Sequence, residues 1–143
     1  MPDYPDPLVD ALAQSAFATI AVITWVGAEH DLSLTQMRVL GILRDRRLRM
    51  SDLAGYLGLE KSTMSGLVDR AERRGLLARA PSSADGRSVE VFLTPAGADL
   101  ARRGTTRVRA ELSPMTGKLD QGERDALRAL LERTLPPPPE GHR

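Results

Sequence analysis

The sequence has no cysteine, two histidines and few aromatic residues, and each scarcity excludes a kind of chemistry. Without cysteine there is no disulfide, no thiolate nucleophile and no cysteine-based metal or redox site. His30 and His142 lie far apart in the sequence, so a metal site would depend on carboxylates, and we predict none. The sequence also lacks a nucleophile–base set, a P-loop and a metal-binding box, so we expect neither an enzyme nor a cofactor.

The most apolar run of the sequence is residues 15–28, and its length indicates whether it could cross a membrane. It is shorter than the roughly 20 residues that a spanning helix needs, and the leader MPDYPDP is acidic, unlike that of a secretory signal. We therefore expect a cytoplasmic protein with no membrane partner, in which this run forms a helix buried on nearly all sides. Because so small a protein cannot cover such a helix alone, we expect a partner subunit to cover part of it.

Charge is spread unevenly along the chain, although the net charge is only +1. Residues 1–37 carry a net charge of −5, residues 38–109 a net charge of +7 and residues 110–143 a net charge of −1. A basic middle between acidic or neutral ends is typical of a protein that binds a polyanion. Solvated helix faces are often rich in arginine too, so the charge pattern alone does not identify the partner.

The length of 143 residues predicts a single domain, residues 1–143. The spacing of the apolar residues predicts that this domain is mainly α-helical with a small β-hairpin. Apolar spacing predicts the order helix, helix, short helix, tight turn, helix, hairpin, long helix, helix. The proline run 136–139 cannot continue the last helix, and we expect residues 136–143 to be a disordered tail. The first helix should begin near Pro7, after Asp6, and the predicted caps of the later helices are Ser33 or Thr35, Ser51, Ser62 or Thr63, Thr94 and Asp120.

Two short helices joined by a turn at Gly58 predict a helix-turn-helix. In the second helix, which we expect from Lys61 to Arg74, apolar residues follow the i, i+3, i+4, i+7 spacing of a docked face. The other face carries small hydroxyls, a glycine and cations, which let a helix approach the DNA major groove and hydrogen-bond base edges or phosphates. Its residues are Lys61, Ser62, Thr63, Ser65, Gly66, Asp69, Arg70 and Arg73.

The stretch SADGRSVEVFLTPAG, residues 83–97, predicts a hairpin that leads into a helix start. Asp85-Gly86 favours a tight turn, and the next residues alternate with a period of two, as in a strand. A helix-turn-helix followed by such a hairpin predicts a winged helix, whose tip would place Arg87 in the minor groove, where the negative potential attracts a guanidinium. The alternative is that Arg87 pairs with Asp85 or Glu90 as a solvated hairpin charge.

The stretch LAGYLGLEKSTMSGLVDRAERRGLLAR, residues 53–79, followed by SADGRSVEVFLTPAG, resembles the MarR family of bacterial transcription regulators. The hallmark of that family is a recognition helix ending in Leu/Glu-x-x-Gly-Leu, followed by Asp-x-Arg and Leu-Thr-x-x-Gly. The matching positions here are Glu72 to Leu76, Asp85 and Arg87, and Leu93 to Gly97. The resemblance extends over residues 8–135 and is sharpest over residues 50–97.

The resemblance implies a sequence-specific regulator, most often a repressor, that binds palindromic double-stranded DNA as a homodimer. It implies a winged helix-turn-helix at residues 34–94 and a helical dimerisation region at residues 7–30 and 95–135. Several members of the family carry a longer polar side chain where Gly66 stands, which would weaken base readout there or move it to Lys61 and Ser65. The DNA-binding residues that we predict are Lys61, Ser62, Thr63, Ser65, Gly66, Arg70 and Arg87.

The family often holds a small-molecule pocket between the dimerisation and DNA-binding parts. That resemblance places Trp25, His30, Met37 and Arg38 at an effector site, with Arg38 as the partner of a carboxylate or phenolate. The absence of cysteine excludes the peroxide-sensing branch, and the shortage of histidine argues against zinc sensing, which leaves a small anionic or aromatic effector or control by abundance alone. The alternative, which the residues themselves favour, is that Trp25 is a core residue and His30 a surface loop residue.

A second hypothesis is a winged helix that makes protein contacts in a larger assembly and does not bind DNA. It predicts no preference for palindromic duplexes and little dependence of binding on salt. The basic middle of the chain argues against it.

Overall fold

The computed structural model describes residues 5–82 and 86–143. These residues form six α-helices and one three-stranded antiparallel sheet, which confirms the mainly α-helical fold with a small hairpin and adds a third strand. The elements in chain order are α1 (Pro7–Ala28), α2 (Leu34–Leu43), β1 (Leu48–Arg49), α3 (Met50–Leu57), α4 (Lys61–Arg73), β2 (Leu77–Pro81), β3 (Val89–Leu93), α5 (Pro95–Thr116) and α6 (Gln121–Thr134).

The sheet has the strand order β1-β3-β2, with β3 in the centre. β2 and β3 form the hairpin that the sequence predicts, with Leu77 opposite Leu93. β1 pairs with the other edge of β3, with Leu48 opposite Val91. We did not predict β1, because a strand of two residues is too short to show an alternating pattern.

The hydrophobic core lies between the sheet and the helices α2, α3 and α4, and the first turns of α5 close it. Apolar side chains from each of these elements are removed from water, which is the main force that holds them together. The largest fully buried side chains are those of Leu48, Leu53, Met64, Leu77, Val26, Val39, Val68 and Val91.

Gly97 lets α5 approach the end of the helix-turn-helix closely. A Cβ atom at this position would overlap the backbone carbonyl of Leu76. Thr94 fixes the same junction, because its hydroxyl donates to the carbonyl oxygen of Gly75 at 2.5 Å and accepts from the N–H of Gly97 at 3.0 Å. The Leu-Thr-x-x-Gly motif therefore has a structural role, since it fastens α5 to the hairpin and to the loop after α4.

Three predicted helix caps are confirmed, because Ser33, Thr94 and Asp120 each accept a backbone hydrogen bond at the start of a helix. The predicted start of the first helix at Pro7 is also confirmed, and Asp6 caps it. Ser51 does not cap α3, because β1 runs directly into that helix and its last residue, Arg49, takes the N-cap position.

Ser62 and Thr63 do not cap α4 either, because the helix already begins at Lys61, before both of them. Glu60 takes the N-cap position, and its side chain makes no capping hydrogen bond. Both hydroxyl residues lie inside the first turn of the helix and are exposed.

The first and last helices expose most of their apolar side chains. α1 buries only Val26 and Gly27, so the prediction of a helix buried on nearly all sides is wrong for the single chain. Among the described residues, α1 alone is long and apolar enough to cross a membrane by length and composition. Every residue of α6 is exposed.

Residues 136–143, for which the sequence predicts disorder, form no helix in the structure. They run back to the start of β1, where His142 makes an isolated antiparallel bridge with Arg47. The guanidinium of Arg46 donates to the carbonyl oxygen of Pro139 at 2.8 Å.

Candidate nucleic-acid interface

The turn between α3 and α4 is tight because Gly58 adopts a left-handed backbone conformation, with φ of 66°. A side chain would strain this conformation, and glycine adopts it without a Cβ penalty. The N–H of Gly58 donates to the carbonyl oxygen of Gly55 at 3.2 Å, and the N–H of Leu59 donates to that of Ala54 at 3.0 Å. These bonds end α3 and leave only three residues, 58–60, between α3 and α4.

The inner face of α4 docks on the core. Met64, Leu67, Val68 and Ala71 are buried, and they follow the i, i+3, i+4, i+7 spacing that the sequence shows. Packing on this side fixes which side of the helix faces water.

The outer face of α4 carries the helix residues that we predict to bind DNA. Lys61, Ser62, Thr63 and Arg70 are exposed, and Ser65 and Gly66 are partly exposed. Because the side chain of Glu60 accepts no capping hydrogen bond, the first N–H groups of α4 have no acceptor in the N-cap side chain. Such N–H groups at the positive end of a helix dipole suit a phosphate oxygen.

The hairpin of β2 and β3 is the wing, and Arg87 is exposed at its tip. The N–H of Ser82 donates to the carbonyl oxygen of Ser88 at 2.8 Å, which continues the strand pairing beyond the named strands. Asp85, which we predict to hold the turn, lies outside the described residues.

Arg79 joins the wing to α4, a link that we did not predict from the sequence. This β2 residue forms an ion pair with Asp69 and lies 3.6 Å, Nε to Oε2, from Glu72, and both acids belong to α4. Asp69 and Glu72 are three residues apart and share one helix face, next to a strand with a cation. That charge complementarity is the signal that could have revealed the link.

Arg74, directly after α4, joins the recognition helix to the turn that follows α1. Its guanidinium donates to the carbonyl oxygens of Asp31 at 2.9 Å and His30 at 2.8 Å. Asp31 adopts a left-handed conformation, with φ of 54°, so the turn presents two successive carbonyls to one side chain. A backbone acceptor carries no side-chain signature, so sequence could not have predicted this partner.

The residues that we predict for an effector site are divided by the structure. Met37 and Arg38 line an open, largely apolar cleft of about 710 Å³ between α1, α2 and α5. Trp25 and His30 do not line it. The residues along this cleft, which we call the interhelical cleft, are Ile20, Ile23, Leu34, Met37, Arg38, Leu40, Gly41, Ile42, Arg44, Leu100, Ala101, Gly104, Thr105 and Val108.

Trp25 is half exposed, and the guanidinium of Arg107 lies 4.9 Å from the centre of its ring. Arg107 also donates a hydrogen bond to Glu29, the residue that follows α1, and this bond raises the pKa of Arg107 above its usual value. These contacts fasten the end of α1 to α5. Trp25 is therefore not the core residue of the alternative interpretation, and it does not line the interhelical cleft.

Within residues 5–82 and 86–143, no group of three or more histidine, cysteine or acidic side chains is arranged to hold a metal ion. The features that the described residues do bring together are a docked helix with a polar outer face, a tight turn before it and a hairpin after it. Those features define a winged helix-turn-helix, the class of DNA-binding domain in which α4 is the recognition helix.

The comparisons with known proteins agree with that class and narrow it. The MarR family profile matches residues 30–88. The chain is 33% identical over 110 residues to the uncharacterized HTH-type transcriptional regulator YfiV of Bacillus subtilis (strain 168), covering 73% of this chain and 68% of that protein. The chain belongs to the MarR family of transcriptional regulators.

Two further relatives match over most of the chain. The homoprotocatechuate degradative operon repressor of Escherichia coli is 27% identical over 131 residues, covering 91% of this chain and 88% of the repressor. The structure of Bordetella bronchiseptica BpsR, whose DNA binding is regulated by 6-hydroxynicotinic acid, superimposes with a TM-score of 0.71 and 26% identity. The superposition covers 90% of this chain and 98% of the BpsR chain.

Proposed function

We propose that this protein is a cytoplasmic repressor, without enzymatic activity, that binds palindromic operator DNA as a homodimer. The observation that carries the proposal is the outward polar and cationic face of α4, with its uncapped N-terminus, beside a wing with an exposed Arg87. In this arrangement α4 enters the major groove and the wing reaches the neighbouring minor groove. The proposed contacts are Lys61, Ser62, Thr63, Ser65, Gly66, Arg70 and Arg87.

The exposed apolar faces of α1 and α6 support the homodimer. Phe17 is 74% exposed and Leu8 67% in α1, and Leu130 is 57% exposed in α6. A second copy related by a twofold axis would cover both helices at once, whereas a membrane would not account for α6, which is short and rich in charge. We therefore assign residues 7–30 and 95–135 to dimerisation and residues 34–94 to DNA binding, within one domain over residues 1–143.

The interhelical cleft supports an effector that releases the DNA. It lies between α1 and α5 of the proposed dimerisation part and α2 of the DNA-binding part, and Arg38 and Arg44 offer cations beside its apolar walls. This combination suits a small aromatic acid or phenolate. Regulation of BpsR by 6-hydroxynicotinic acid agrees with that chemistry. We retain Met37 and Arg38 as effector residues and place Trp25 and His30 outside the site.

Selection from a pool of random duplexes tests the function directly and separates it from a protein-contact module. We expect the wild-type chain to enrich sequences that contain an inverted repeat. A variant with both Arg70→Ala and Arg87→Ala should lose the enrichment, because it lacks one cation of the recognition helix and the cation at the tip of the wing. The matched control is Arg102→Ala with Arg103→Ala, which also removes two charges but from α5, where both pair with Asp99.

If the wild-type chain enriches no common sequence, the proposal is wrong and the protein-contact module takes its place. If the control loses enrichment as completely as the Arg70→Ala, Arg87→Ala variant, net charge rather than this interface governs binding.

A further inference from the structure

The last residues of the chain extend the wing sheet beyond its short edge strand. The N–H of Arg47 donates to the carbonyl oxygen of His142 at 2.6 Å, and the N–H of His142 donates to that of Arg47 at 3.4 Å. Arg47 directly precedes β1, which is an edge of the sheet. Edge strands offer unpaired backbone groups, and an extended segment that pairs with them satisfies both partners.

A buried carboxylate connects this terminal segment to both strands of the wing. Glu90 of β3 has a side chain only 4% exposed, and its Oε2 lies 3.2 Å from Nε2 of His142. Its other oxygen accepts from the hydroxyl of Ser82, just after β2, at 3.1 Å. Removing a carboxylate from water is costly unless it is hydrogen-bonded or paired, so His142 and Ser82 both have a reason to stay in place.

Close packing at Gly141 shows that the segment fits this position. A Cβ atom there would lie 2.5 Å from the carbonyl oxygen of Arg47 and 2.9 Å from Cδ2 of Leu48. The absence of a side chain at Gly141 therefore lets the backbone of the terminal segment approach the backbone of Arg47 closely. Glu140, the preceding residue, is exposed.

Arg46 provides a further attachment. Its Nη1 donates to the carbonyl oxygen of Pro139 at 2.8 Å, and its Nε donates to Oδ1 of Asp45 at 2.9 Å. The hydrogen bond with Arg46 holds the pKa of Asp45 below its usual value, so this carboxylate stays charged as the partner of Arg46. The proline run 136–139 before the segment favours an extended chain, so less conformational entropy is lost when the segment docks.

We propose that residues 139–142 act as a brace that docks on β1 and holds the wing in the orientation that DNA binding requires, with His142 and Glu90 as positioning residues. The sequence predicts a disordered tail for this part of the chain, whereas the structure places it against Arg46 and Arg47. Its docking stands on the contacts above, whereas its effect on DNA rests on the proposed function.

Amide hydrogen exchange by NMR on the full chain, without DNA, tests the docking. The Arg47 N–H should be protected in the wild type and in the control Glu140→Ala. Protection should be lost in Gly141→Ala, where the added methyl group meets backbone, and in a chain that ends at Leu135. If the Arg47 N–H exchanges at one rate in all four proteins, the segment does not dock and the proposal fails.

Binding to the inverted-repeat duplex selected by the wild-type chain tests the bracing. We expect Gly141→Ala and His142→Ala to lower affinity with only a small fall in melting temperature, and His142→Gln, which retains an N–H donor for Glu90, to recover part of the loss of affinity. Lost Arg47 protection with unchanged affinity would overturn the brace. If the wild type enriches no duplex, the proposed function fails and the effect on DNA fails with it, whereas Arg47 protection still decides the docking.

Discussion

Arg87 is the residue on which the wing's proposed contact with DNA depends most. Arg87→Ala removes a guanidinium from the tip of the hairpin and leaves the core untouched. We expect affinity for the selected duplex to fall by roughly 1–3 kcal/mol, with a weaker dependence on salt, because fewer counterions are released. The melting temperature should barely change, since an exposed charge contributes little to folding.

Titration of the selected duplex at two salt concentrations, beside melting curves, measures these effects. Arg102→Ala, on the exposed face of α5, is the control and should bind like the wild type. Equal affinity of wild type and Arg87→Ala at both salt concentrations would remove Arg87 from the interface.

Gly97 carries a prediction about stability instead. Gly97→Ala should lower the free energy of unfolding, because the new Cβ atom meets the backbone of Leu76, which cannot rotate away as a side chain would. Gly55→Ala is the matched control: Gly55 is exposed in α3, no atom lies within 4 Å of the added methyl group, and alanine there should stabilise the helix by about 0.5–1 kcal/mol. Urea denaturation of both variants measures the difference, and a Gly97→Ala protein as stable as the wild type would contradict the close approach of α5.

At the scale of elements, α4 separates stability from binding on its two faces. Leu67→Ala should lower the free energy of unfolding by about 2–5 kcal/mol, because it truncates a side chain that is 5% exposed in the core. Arg70→Ala, three residues along on the outer face, should keep the stability of the wild type and lose affinity for the duplex. Denaturation and titration of both variants decide the matter, and a large loss of stability in Arg70→Ala would mean that the faces are wrongly assigned.

Sequence predicted elements that have a long pattern or a strong local signal. The apolar spacing of α4, the left-handed glycine at position 58 and the Thr94 cap are each local properties of a few neighbouring residues, and all were recognised. The alternation along β3 revealed the wing for the same reason. The N-cap of α4 was assigned wrongly, because Ser62 and Thr63 are both favourable capping residues, whereas the helix begins before them and Glu60 takes the N-cap position.

Contacts between segments that are distant along the chain could not be predicted from the sequence. Arg74 binds two backbone carbonyls at residues 30 and 31, and the terminal segment pairs with Arg47 through backbone groups. Every residue has such groups, so nothing in the side chains marks the partner. Of the residues predicted for an effector site, Met37 and Arg38 line the interhelical cleft, whereas the ring of Trp25 contacts Arg107.

At the scale of the whole molecule, the exposed faces of α1 and α6 predict a dimer. Leu130→Asp puts a charge into the apolar face of α6, and we expect it to shift sedimentation equilibrium toward the monomer, because a buried charge without a partner is costly. Arg128→Ala is the control on the same helix; this side chain is 73% exposed and its ion pair with Glu132 is a surface pair of small worth. A stable, folded wild-type monomer at micromolar concentration would contradict the dimer.

Footprinting of the wild-type protein on its selected duplex tests most directly the proposal that two recognition helices of one dimer bind one operator. We expect protection of two half-sites related by a twofold axis, with centres about one helical turn, roughly 34 Å, apart and with two chains bound per duplex. Protection of a single site without an inverted repeat, or one chain bound per duplex, would contradict it.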